Sequence, residues 1–236
     1  MTLIQYPDFV SLFPPEIPVA EAQYEQFSSY ASLLVEKNAV MNLTAITSPQ
    51  DIAEKHFLDS VLPLKYFDIP SGASLVDVGT GAGFPGVPMA IARPDIKLTL
   101  IDSLQKRVNF LVELCEKLDI PAECYHLRAE DAGQGSLRES FDVATARAVS
   151  RLSVLCEYCL PLVKLGGVFL AMKGGECEQE LKEAYTAIKT LGGKTEKVEK
   201  YALPNGDART LIVIRKIDKT PSKYPRAQGK IKAKAL

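Results

Sequence analysis

The sequence predicts an α/β protein: a mostly parallel, doubly wound sheet that ends in an antiparallel hairpin, preceded by a helical extension. Three observations predict it. From residue 74 onward, short apolar runs alternate with amphipathic stretches of helical period, the pattern of parallel strands covered by helices. The glycine-rich turn "GTGAGFPG", residues 79–86, follows the first of those runs. Near the end, "TEKVEKYALPNGDARTLIVIRK" reads as two strands joined through Pro204, Asn205 and Gly206.

The helical extension comes first. In "EAQYEQFSSYASLLVEK", Tyr24, Phe27, Ala31 and Leu34 form one helical stripe. "NAVMNLTAIT" reads as a connector. "SPQDIAEKHFLDSVLPLKYF" then opens a second helix, with Ser48 as N-cap, Pro49 in the first turn and Asp51 at the capping-box offset. His56 lies on its apolar side and reads as a packed or capping histidine.

Strands and helices alternate from there. "SLVDVG", "KLTLID", "AECYHL", "FDVATA" and "GGVFLAMKG" are the five parallel strands. Between them, "VPMAIARP" is a helix ended by Pro94, "SLQKRVNFLVELCEKLDI" a second and "SRLSVLCEYCLPLVK" a third. "ECEQELKEAYTAIKTLGG" is a fourth, ended by Gly192 and Gly193. The tail "KIDKTPSKYPRAQGKIKAKAL" is rich in Lys and Pro and poor in apolar pattern, so it is expected to be flexible. The expected division is residues 1–70 as a helical subdomain, 71–216 as the α/β domain and 217–236 as a basic flexible tail.

Composition bounds the function. With 236 residues, 47% hydrophobic and 24% charged, the chain has the core of an ordinary enzyme domain. No run approaches the roughly 20 apolar residues of a membrane span, and the start lacks a basic n-region with an apolar core. A cytoplasmic location and no membrane association are therefore expected. Five cysteines, an odd number without framework spacing, argue against a disulfide scaffold. Cys156 and Cys159 form a C-x-x-C, but on a helix they read as two small residues of a buried face. Residues 1–65 carry three lysines against eight acids, whereas residues 216–236 carry seven Lys or Arg against Asp218 alone. A basic end on a mildly acidic chain fits either a polyanionic partner or a solubilising tail.

The glycine turn carries the chemistry. "GAGFPG" matches the G-x-G-x-x-G of dinucleotide-binding turns, a pattern that is weak alone. Asp77, two residues before Gly79, repels a pyrophosphate and attracts a cation such as the sulfonium or ammonium of S-adenosylmethionine. Asp102 ends the second strand, where an acid accepts ribose hydroxyls in either cofactor class. Phe84 and Pro85 add bulk and remove an N–H where phosphates would sit. On the same sheet edge, Ala129 and Glu130 follow the third strand, Arg147 the fourth and Lys173 the fifth. Arg147 and Lys173 are expected to be neighbours at the mouth. The residues alone leave a nicotinamide-dependent oxidoreductase and a non-catalytic RNA-binding module open beside a methyltransferase.

The blocks "NLTAI", "KHFLDS", "LVDVGTGAGFPGVPMAI", "LIDSLQKRVNFL", "RAED", "TARAVSRL" and "MKGG" occur in that order. Together they resemble the bacterial 16S rRNA guanine-N7 methyltransferase RsmG family, also called glucose-inhibited division protein B. The resemblance implies a class I methyltransferase fold, Rossmann-like, with S-adenosylmethionine as donor. It implies 16S rRNA or the small ribosomal subunit as partner, with N7 of guanine 527 in the 530 loop as acceptor. No obligate protein partner is evident. By position, Gly79, Phe84, Ala129, Glu130 and Arg147 match the family's cofactor contacts; Asp77, Gly81 and Asp102 match the broader class. N7 has no proton to lose, so in-line positioning matters more than a general base. "TARA" stands where base-amino methyltransferases carry an Asn/Asp-Pro-Pro-aromatic block. Arg147, Lys173 and Arg209 are the expected orienters of the RNA.

Overall fold

The computed structural model describes residues 3–147 and 150–236. The sheet has seven strands: β1 (Ser74–Val78), β2 (Lys97–Asp102), β3 (Ala122–His126), β4 (Phe141–Arg147), β5 (Val163–Gly174), β6 (Gly193–Ala202) and β7 (Ala208–Lys216). Their spatial order is β3-β2-β1-β4-β5-β7-β6. β1 to β5 run parallel, and β7 lies antiparallel between β5 and β6. The expected fold class is the observed one. The order reverses between β1 and β4, and a crevice outside the carboxyl ends follows from that switch point.

The sheet's two faces sort the chain. Leu75, Leu100, Val143, Leu170 and Val213 share one core with Phe9, Phe27, Tyr30, Leu34 and Phe57 of the N-terminal helices. Those helices, among them Tyr6–Ser11 and Glu21–Met41, are thus a layer of the α/β domain rather than a subdomain with its own core. Gln26 Nε2 donates to the Leu118 carbonyl at 2.7 Å, and the Tyr30 hydroxyl to the Ala82 carbonyl at 2.5 Å. On the opposite face, Val76, Ala144, Phe169 and Ile212 pack with helices Ala129–Gln134, Leu152–Cys159 and Glu178–Thr190. Cys156 and Cys159 are fully buried there as free thiols.

Two segments depart from expectation. The second helix begins as predicted, with Ser48 Oγ accepting the Asp51 N–H at 3.1 Å. It then widens into a π-helical stretch over Ile52–Leu58, a form that concentrates at functional sites. The tail is the larger correction, because it is docked and not free. Tyr224 and Ile231 are buried, and Gln228–Ala233 is helical. Arg138 donates to the carbonyls of Thr220 and Tyr224 at 2.6 and 2.7 Å. Its lysines made the tail read as solvated, but its fixing points are two apolar side chains and polar partners far away in sequence.

Candidate active site

The glycine turn is built around Asp77. Gly79, Gly81 and Gly83 all have positive φ (69°, 63° and 101°), open to glycine without strain. Asp77 Oδ2 accepts from Thr80 Oγ1 at 2.6 Å and from the Gly86 N–H at 2.8 Å. Gly86 opens helix Gly86–Ala92, so the carboxylate already occupies the N–H that a phosphate would seek there. The other oxygen, Oδ1, is buried without a hydrogen-bond partner. Burial raises the Asp77 carboxyl from 3.8 to about 6, against the pull of Thr80 and Gly86.

Beside the turn lies a cleft of about 640 Å³ at the carboxyl ends of β1, β2 and β3. Gly79, Asp102, Ala129 and Glu130 line it, with Val78, Ile101, Leu127 and Val154 as apolar wall. Asp102 is fixed there: Oδ2 accepts the Gly81 N–H at 3.0 Å and Oδ1 the Leu104 N–H at 2.9 Å. Two carboxylates in a ligand-sized, partly apolar cleft, with a third and half-unpartnered one behind its loop, fit a cationic ligand that carries hydroxyls. They do not fit a pyrophosphate.

The remaining site residues form a second cluster, on the face of the N-terminal helices. Strand alternation decides this. Arg147 pairs with Met172, so Lys173 points to the other face. There Lys173 Nζ bonds Glu180 Oε1 at 2.8 Å and the Ser150 carbonyl at 2.9 Å. The expected meeting of Arg147 with Lys173 does not occur. Arg147 meets Arg209 instead, through Asp59: Arg147 Nη1 lies 3.2 Å from Asp59 Oδ2, and Arg209 Nε 3.0 Å from Oδ1. Arg147 also donates to the Lys55 carbonyl in the π-helical stretch, at 3.2 Å. Its guanidinium lies 4.9 Å from the Phe84 ring centre.

Phe84 itself is buried in a stack, 5.2 Å from Tyr30 and 4.4 Å from His56 between ring centres. Neither Phe84, Arg147, Asp77 nor Gly81 lines the cleft; they support it from behind or lie beside it. His56 Nε2 pairs with Thr44 Oγ1 at 2.8 Å, and Nδ1 faces Arg147 Nη2 at 3.3 Å. Burial first, then the Arg147 charge, pull its pKa from 6.5 to about 3. The sequence reading missed Ser103, Arg128, Ser150, Arg151 and Tyr158 of the cleft. The first two follow strand ends and were open to that rule; Tyr158 lies on a helix and had no signal. Ala148 and Val149, within the block "TARAVSRL", lie outside the described residues.

The model of the family described as GidB, rRNA small subunit methyltransferase G, matches residues 23–211. The chain belongs to the rRNA small subunit methyltransferase G family. A ribosomal RNA small subunit methyltransferase G from Desulforamulus reducens is 50% identical over 217 residues, covering 91% of this chain and 90% of that protein. The protein of that name from Staphylococcus aureus is 49% identical over 215 residues, covering 90% of each. Among solved structures, a SAM-dependent methyltransferase from Aquifex aeolicus has a TM-score of 0.55 at 18% identity, over 73% of this chain and 96% of that one. An O-methyltransferase from Bacillus cereus, in complex with SAH, has a TM-score of 0.56 at 15% identity, over 80% of this chain and 91% of that one. These two share the fold. The chain is a methyltransferase, and S-adenosylmethionine is its donor. No helix among the described residues is long and apolar enough to cross a membrane.

Proposed function

We propose that the chain methylates N7 of one guanine of 16S rRNA, position 527 in the 530 loop, by in-line transfer without a general base. The proposed substrate is 16S rRNA or the small ribosomal subunit, a reading supported by its relatives, which are named ribosomal RNA small subunit methyltransferases. The observation that carries the reading is the state of the charged cluster beyond β4. The histidine nearest the cluster is buried, bonded through both ring nitrogens and pulled to about 3. A base that weak takes up little proton at neutral pH. Guanine N7 offers a lone pair and no proton, so it is the acceptor that such a site can serve.

S-adenosylmethionine supplies a methyl group on a sulfonium, an electrophilic carbon. The chain's own contribution is position and exclusion of water. Asp102 and Glu130 hold the donor's hydroxyls and polar edge, Gly79 and Gly81 let the backbone come close, and Asp77 supplies negative charge behind the loop. Gly79, Asp102, Ala129 and Glu130 are the proposed donor residues, and Gly81 fixes Asp102 through its N–H. Phe84 and Arg147 support the site from beside the cleft. Arg209, partly exposed, is the proposed RNA orienter of this cluster, and Lys173 is bound to Glu180 instead.

The test uses labelled donor and unmodified 16S rRNA or small subunits. Reduction and aniline cleavage, which cut at 7-methylguanine, should report a single site at guanine 527. Methyl incorporation at another atom or several guanines would refute the proposal.

A further inference from the structure

Part of the wall of the donor cleft is made by the C-terminal segment. Gln228, Ile231 and Ala235 line the cleft together with Asp102 and Glu130. Ile231 is fully buried. The segment is clasped at its start. Glu157 Oε1 accepts the Arg226 N–H and Nε–H, each at 2.8 Å, and Oε2 accepts Nη2 at 2.6 Å. The Glu157 side chain is 0% exposed, and its recorded partners are all on this arginine. Arg226 Nη2 also donates to the Lys234 carbonyl at 3.0 Å, which ties the far end of the short helix back to its beginning. Gly133 shows how close the fit is: a Cβ there would lie 2.9 Å from Pro225 Cγ. This segment lies beyond the stretch that the family model matches.

We propose that residues 226–236 are a strap that forms part of the donor site: Gln228 and Ile231 position S-adenosylmethionine, and the Arg226–Glu157 clasp holds them against the cleft. The proposal rests on the reading of this cleft as the donor site. An apolar side chain and an amide from the segment complement the acids Asp102 and Glu130 that line the same cleft. Ile231 excludes water from the acids' side of the cleft, and Gln228 offers a donor and an acceptor to a polar ligand edge. Glu157 and Arg226 act through the strap and touch no donor, so they are positioning residues.

Hydrogen exchange on the unmodified full-length chain, with and without S-adenosylhomocysteine, tests the two readings separately. Slower exchange is expected at residues 79–81 and 127–130 and also at 228–235. Protection of the first two stretches without the third would overturn the strap and leave the cleft standing. Protection of neither would overturn both. The full-length Gln228→Ala/Ile231→Ala variant should bind S-adenosylmethionine about tenfold more weakly by calorimetry, with rRNA affinity unchanged because no charge is altered. A folded variant with unaltered donor affinity would overturn the proposal, and if the variant does not fold, the exchange experiment decides. Glu157→Gln should speed exchange of residues 226–236 in the free protein; unchanged exchange would remove the clasp from the argument.

Discussion

Asp59 holds Arg147 on one carboxylate oxygen and Arg209 on the other. It is buried, and so is most of Arg147, so the trio is an ion cluster in a low-dielectric setting. Asp59→Asn keeps the shape and removes the charge, which leaves a buried guanidinium uncompensated. Breaking such a pair costs about 3–5 kcal/mol; urea unfolding of the variant should show a loss of that order. His56 and Asp77 answer pH in opposite directions. The folded-state pKa of His56 lies below 6.5, at about 3, so its contribution is complete above pH 6.5 and is lost as pH falls toward 3. That loss amounts to roughly 5 kcal/mol. Asp77 is raised from 3.8 to about 6; its contribution is complete below the lower value and is lost as pH rises through the upper one, about 3 kcal/mol in all. Unfolding free energies measured from pH 3 to 8 should therefore fall less on the acid side in His56→Asn, and less between pH 4 and 6 in Asp77→Asn. At this scale the place of Asp102, Ala129 and Glu130 along one cleft at the sheet edge was legible, because each follows or ends a strand that the apolar pattern marks. The partners of Arg147 were not, since nothing near position 147 in the sequence points to position 59.

The turn between β1 and helix Gly86–Ala92 is the element on which the site depends. Gly86 has no room for a side chain: a Cβ would lie 2.9 Å from both Asp77 Cβ and Leu100 Cδ2. Gly86→Ala should cost about 1–3 kcal/mol through overpacking. Because the Gly86 N–H is also the bond that holds Asp77 Oδ2, donor affinity should fall with it; calorimetry against S-adenosylmethionine beside an unfolding curve checks both. The strands were read within two or three residues: β1, β2, β4, β5 and β7 carry apolar runs with consecutive buried residues, while the exposed edge strands β3 and β6 were marked by the turns that bound them. The helices of six residues, Tyr6–Ser11, Ala129–Gln134 and Gln228–Ala233, escaped the reading. A helix that short gains little from its own hydrogen bonds, so its sequence carries little period, and tertiary contacts hold it. The π-helical stretch escaped for a related reason: its widened turn puts the Lys55 carbonyl within reach of Arg147, a contact made across the fold.

The whole molecule is mildly acidic, with its positive charge gathered at the C-terminal end. The tail presents Lys219, Lys223 and Lys230 on the exposed surface, and Lys223 and Lys230 share a hollow with Glu130 of the donor cleft. If rRNA phosphates lie on them, replacing all three by Gln should make the plot of log affinity against log salt shallower by about 2. Binding measured from 50 to 300 mM salt checks this, and an unchanged slope would place the RNA elsewhere. The sequence by itself determined the alternation of strands and helices, the closing hairpin, the glycine turn with its acid and the family blocks, because each is a local pattern of apolar period, turn chemistry or spacing. Tertiary structure alone decided three things: that Arg147 turns toward Asp59 and Arg209 and away from Lys173, that the N-terminal helices share the sheet's core, and that the end of the basic tail lines the cleft. The physical reason is common to all three. Strand parity relative to a neighbour, the burial of a helical face and the pairing of Arg226 with Glu157 are relations between residues tens of positions apart, and no local window of the chain records them.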